Sequence, residues 1–223
     1  MTQFDIWIGI VALCCSMIVG ISDMVLSGQP VSGAEHVKLG LNSARGKSAR
    51  ALQLAGFAGI ANIFVALGFW QWYQALAPAG FWLSVFPILL LVIFFLLGVT
   101  VHFIWPILAT LSLAAENAAP ESKAAIQQLY DTTFQRYFVP LGMVAVPLLL
   151  GGSIWFAVAV LSGRTLFPQW FAILSPAFPV LSLYALSPRL PAPIGGYIRS
   201  NFLHIIIPVL FAISSWTLAG HVA

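Results

Sequence analysis

Six stretches of this chain are apolar almost without interruption: about 6–27, 51–75, 81–114, 135–162, 168–187 and 200–221, joined by shorter polar connections. Each is near or above the ~20 residues that a helix needs to cross the hydrocarbon core of a bilayer. The period-two alternation of barrel strands is missing. The pattern predicts an all-α fold, a polytopic bundle of six transmembrane helices forming a single domain over residues 1–223. The third stretch is the longest, about 50 Å from Phe81 to Ala114 by the helical rise. It is expected to kink at Trp105-Pro106 and to continue to about Ala115, which leaves Glu116 beyond the membrane. The segment "PESKAAIQQLYDTTFQRY" that follows is polar and rich in helix formers. It predicts a separate short interfacial or cytosolic helix opened by Pro120.

Composition gives the same class. The chain is 61% hydrophobic and 7% charged, with a mean hydropathy of +0.99, whereas soluble domains carry about 25% charged residues. So few charges cannot cover a water-facing surface. The net charge of +3 rests on nine basic residues. Lys38, Arg45, Lys47, Arg50, Lys123, Arg136, Arg189 and Arg199 fall in or beside connections on one side, and Arg164 alone falls on the other. That asymmetry orients a membrane protein with both termini outward in an inner (plasma) membrane. It is not the basic face with stacking aromatics that nucleic acid requires. Trp70, Trp72, Tyr73 and Trp82 gather at the outward ends of the second and third stretches as an interfacial belt. Cys14 and Cys15 are adjacent in an apolar helix and build no disulfide framework.

Small residues at helical spacing (Ala12, Ser16, Gly20; Ala55, Gly59, Asn62, Ala66) form seams where helices approach closely in lipid. Asn62 reads as a hydrogen-bonding partner across such a seam. Ionisable residues within spans are costly and mark function by default. Here they are Asp23, His102 and His204, all at similar depth toward the basic side, with Glu35, His36 and Glu116 as possible additions. "HFIWP" (102–106) and "HIIIP" (204–208) share a form in which proline at i+4 leaves the histidine carbonyl without its helical donor. A bend is expected at each.

Three chemistries suit this set. Asp23, His102 and His204 together make an acceptable zinc or iron site. Without a metal, the same residues could move protons on a lipid or other lipophilic small molecule. The two histidines could also be axial ligands of one haem, the less favoured reading. A non-enzymatic role as a small-molecule carrier, or as an accessory subunit packed among partner subunits, competes with all three. No P-loop, GxSxG or CxxCH motif is present.

Two resemblances bear on these readings. Ser22-Asp23, His102 and His204 resemble loosely the Ser/Asp/His sites of membrane-embedded zinc hydrolases such as alkaline ceramidases and adiponectin-receptor-like proteins. Those families carry a paired-histidine motif and seven helices, and this chain has neither. The acid closing the first stretch, then "LSGQPVSG", "GFWQWYQALAPAG" and a lone histidine in the third, resemble an uncharacterised bacterial multi-pass inner-membrane family. That likeness covers about 15–105 and implies topology without an activity.

Overall fold

The computed structural model describes residues 1–222, and the described residues contain helices and no strand. Five helices are long and apolar enough to cross a membrane: α1 (Gln3–Ser27), α2 (Ala49–Ala79), α3 (Phe81–Asn117), α4 (Pro120–Leu161) and α6 (Ile194–Ala219). A shorter helix, α5 (Ala177–Leu186), lies between α4 and α6 in sequence. Around the bundle α6 packs on α1, α1 on α2, α2 on α3 and α3 on α4, and α5 touches both α4 and α6. The six helices thus close a ring.

Local sequence accounts for most boundaries. Thr2 and Asp5 form a reciprocal capping box that opens α1. Gly80 has φ +102°, a conformation other residues avoid, and it turns the chain between α2 and α3. Helix α3 runs unbroken through Pro87 and Pro106 to Asn117, two residues past the expected end.

Two expectations are corrected. The segment after α3 is not a separate helix: Pro120 opens α4, which continues to Leu161. The change of register is taken up by a π-turn at Phe134–Phe138. Pro140 cannot donate to the Arg136 carbonyl, and Val139 N–H instead reaches back five residues to Phe134. The second correction concerns 168–187, which is not one continuous span. It consists of a 3₁₀ turn (Gln169–Leu174), a break at Ser175-Pro176, and ten-residue α5, about 15 Å long. Pro168, Pro176 and Pro188 remove backbone donors at the joints. The chain still passes between the two ends of the bundle here. Leu166 N–H bonds Ala75 O at 2.8 Å at the end holding the termini, and Gly33 N–H bonds Leu190 O at 3.1 Å at the other.

The centre of the ring differs between its two ends. Toward the termini it is filled by Phe69, Trp72, Phe156 and Phe211, with ring centroids 5.0–5.4 Å apart between neighbours (Phe69–Trp72 5.0 Å, Trp72–Phe156 5.1 Å, Phe69–Phe211 5.4 Å). Toward the loops no such plug exists, and a cavity of about 780 Å³ opens there.

Candidate functional site

Three helices bring the predicted ionisable residues together. Asp23 sits one turn from the end of α1, His102 in α3 and His204 in α6. Asp23 Oδ1 lies 3.3 Å from His102 Nε2, and Asp23 Oδ2 lies 2.8 Å from His204 Nδ1. A carboxylate only accepts, so Oδ2 takes the His204 Nδ1–H, while Oδ1 lies at ion-pairing distance from the His102 ring. The rings stand 6.2 Å apart between centroids.

The surrounding shell is short-range and specific. His204 Nε2 is 3.3 Å from Asn62 Oδ1 on α2. Ser22 Oγ faces His102 Nδ1 at 3.5 Å while it donates to the Ala55 carbonyl. Asn62 is buried, and its Nδ2 has no partner among the described residues. Turning that amide over would present a donor to His204 Nε2, so Asn62 can serve either protonation state of the ring. Asn201, also buried, leaves Oδ1 without a partner. Glycine is required at Gly59, where a Cβ would overlap the His102 side chain.

Helical irregularity concentrates here. Helix α2 tightens to a 3₁₀ turn at Gly59–Ala61, beside Asn62 and against His102. The π-turn of α4 puts Phe134 and Phe138 on the cavity wall. Helix α6 departs from helical geometry at Asn201 (φ −132°, ψ 17°). The break thus falls three residues before His204, not at the His204 carbonyl that Pro208 leaves free. Such interruptions are over-represented at functional positions.

Asp23, His102, His204 and Asn62 form one end of the cavity, and Asp23 keeps 20% side-chain exposure toward it. Phe94, Leu97, Val101, Trp105 and Leu203 supply apolar walls. His36, Asp131, Gln135 and Arg199 lie at the loop end. Glu35 is not part of the site: it caps a turn through the Ser32 hydroxyl and N–H, which hold its carboxyl below the ordinary range. Glu116 is also elsewhere, 3.1 Å from Gly46 N and 3.7 Å from Arg45. His36 donates to Ser27 O at 2.8 Å, and burial pushes its pKa down. Lys47 donates to Met24 O at 3.2 Å, and burial pulls its pKa to about 8. His36 satisfies the free Ser27 carbonyl at the end of α1, and Lys47 adds a second donor to the Met24 carbonyl that Gly28 N–H already caps.

The donor set fits a metal or haem poorly. All four ring nitrogens of His102 and His204 already face a protein polar atom within 3.5 Å. Among the described residues, no group of three or more His, Cys, Asp or Glu is arranged to hold a metal ion.

Asn62 is the residue whose part in the site sequence reasoning missed: its seam position was read as helix contact, not as a partner of His204.

Fold, apolarity and a polar cluster buried among the helices define a helical membrane protein. The chain belongs to DUF6796, a family of unknown function, whose model matches residues 5–218. Comparison with curated proteins and with solved structures gives no match.

Proposed function

We propose that this protein binds a lipophilic small molecule in the loop-end cavity and carries out proton transfer on it through Asp23, His102 and His204. The carrying observation is the convergence of a carboxylate and two imidazoles on one end of an apolar-walled cavity of about 780 Å³. That volume lies within the ~300–1,000 Å³ of small-molecule sites. In this reading Asp23 holds both imidazoles in place, one ring delivers a proton to the ligand, the other takes a proton from it, and the carboxylate between them carries that proton back to the first ring. Asn62 adjusts to the change at His204. General acid–base groups need hydrogen-bond reach to the reacting atom, and Asp23 keeps 20% side-chain exposure beside the cavity.

The same reading includes six crossings of a bacterial inner membrane with both termini outside. Support comes from the eight basic residues at or near the loop end and from the end-to-end path of 164–190. The test is incubation of the purified protein in lipid nanodiscs with a bacterial lipid extract in heavy water. Mass spectrometry should find a lipophile that gains deuterium with the wild type and not with Asp23→Asn. Failure to retain or deuterate any lipophile sinks the enzymatic reading.

A carrier is the second reading, favoured by the broken segment 168–187 and the interruption of α6 at Asn201, since discontinuous helices mark carrier sites. A lipophile that is retained but chemically unchanged would select it.

A further inference from the structure

Arg199 is the cation at the cavity for which the site described above has no use. It lies on α6 five residues before His204, on the other side of the interruption at Asn201. Its guanidinium sits 3.6 Å over the Tyr184 ring, and Nη1 donates to Tyr184 O at 2.9 Å and Ser187 Oγ at 3.2 Å. One nitrogen therefore ties Arg199 to the end of α5. Nε and Nη2 have no protein acceptor among the described residues, and no carboxylate lies within ion-pairing distance of the side chain there. Opposite, His36 spends its Nε2–H on Ser27 O and so adds no donor to the mouth. The acid on this part of the lining, Asp131, is exposed on α4 and accepts from Gln127 at 2.9 Å.

A cation fixed on an aromatic face, with free donors at the mouth of an apolar cavity, is built to receive an anion. We infer that the cavity ligand is an amphiphile with one anionic group, a carboxylate or a phosphate, which Arg199 binds. The order along α6 then sets the ligand's reactive group deeper in the cavity, at Asp23, His102 and His204. This inference rests on the proposed cavity function and names its ligand class. Arg199 acts as the anchor that fixes the depth of the ligand. It takes no part in proton transfer.

The experiment uses the full-length protein in nanodiscs. Four probes are compared by calorimetry: a long-chain fatty acid, a monoalkyl phosphate, the alcohol of the same chain length, and inorganic phosphate alone. The two anionic amphiphiles should bind at least about tenfold tighter than the alcohol, the size expected of one charge-assisted contact. Their affinity should fall with added salt while that of the alcohol holds. Arg199→Gln should erase the preference, and Arg199→Lys should keep part of it. The lysine variant also serves if the glutamine variant loses its tie to α5 and fails to fold. Equal binding of alcohol and acid by the wild type, or a preference that survives Arg199→Gln, overturns the anionic anchor and leaves the lipophilic cavity standing. No binding of any amphiphile overturns both. Tight binding of inorganic phosphate alone would make the site one for a free anion, and the amphiphile assignment falls.

Discussion

Among the polar clusters buried in the bundle, two stand at opposite ends of its centre and are built on opposite rules. Toward the termini, Gln71 Nε2 donates to Ser215 at 3.0 Å, Trp72 Nε1 donates to Ser214 at 3.0 Å, and the Ser214 hydroxyl lies 3.1 Å from Gln71 Oε1 and 3.0 Å from Phe211 O. No member is ionisable, both Gln71 amide atoms have partners, and the aromatic plug closes the space beside it. Toward the loops, Asp23, His102 and His204 are ionisable side chains, Asn62 has an amide nitrogen unpaired among the described residues, and all four line an open volume. The first arrangement is what interhelical hydrogen bonding requires in lipid. The second keeps capacity in reserve, which stability alone does not call for.

Mutations at the two ends should therefore separate function from stability. The largest effect is expected from Asp23→Asn, which removes the carboxylate that both rings face. Deuterium incorporation into the lipophile should fall at least about 100-fold, the scale of one general acid–base group. A variant as active as wild type would place both clusters in the structural class. Next is Gly59→Ala, which drives a methyl into His102. A loss of about 1–3 kcal/mol in unfolding stability is expected from overpacking, with ligand retention lost as well, read by thermal unfolding and native mass spectrometry on one sample. Gln71→Leu should leave the buried hydroxyl of Ser215 without its partner and cost about 1–3 kcal/mol. It should do so without touching lipophile binding, and any change in binding would erase the distinction between the clusters.

Smaller effects sharpen the boundary of the loop-end site. With Lys47 held at about 8 against 10.5 when free, both folded and unfolded chains bind the proton below pH 8. Between those two values the unfolded chain binds more protons, so stability contributed by this residue rises with pH across that window and is flat above it. Amine labelling resolved by peptide mapping should give Lys47 an apparent pKa near 8, and a value near 10.5 would return it to the solvated loop. Glu116→Gln should be the mildest change, within about 0.5 kcal/mol and silent in ligand assays, because its partner Arg45 is 72% exposed. A loss equal to that of Asp23→Asn would extend the site to the far end of α3.

The sequence revealed depth better than direction. Asp23, His102 and His204 could be placed at one level because helical rise converts residue number into height. Which faces of α1, α3 and α6 meet could not be read, since helices apolar all round carry no stripe to orient them. Asn62 illustrates the consequence: its seam position pointed to helix contact, and the contact is with His204 itself. The long run of α4 was obscured because its first turns are polar and its remainder apolar, which mimics two elements. The pieces within 168–187 were hidden for the opposite reason, since uniform apolarity masks breaks that prolines introduce into the backbone.

The π-turn of α4 has a consequence for how this chain tolerates change in length. One added residue advances everything beyond it by about 100° around the axis. Before it, Tyr130 is pinned by its hydroxyl to the Gly40 carbonyl at 3.1 Å; beyond it, Gly152 is pressed against Leu91 of α3. Two fixed points set two angular phases on a single rod, and the π-turn is the phase shifter that reconciles them. Deleting one residue from 134–138 would restore perfect helical regularity and put either the tyrosine or the α3 seam on the wrong side, a case in which the more ideal helix makes the less competent protein.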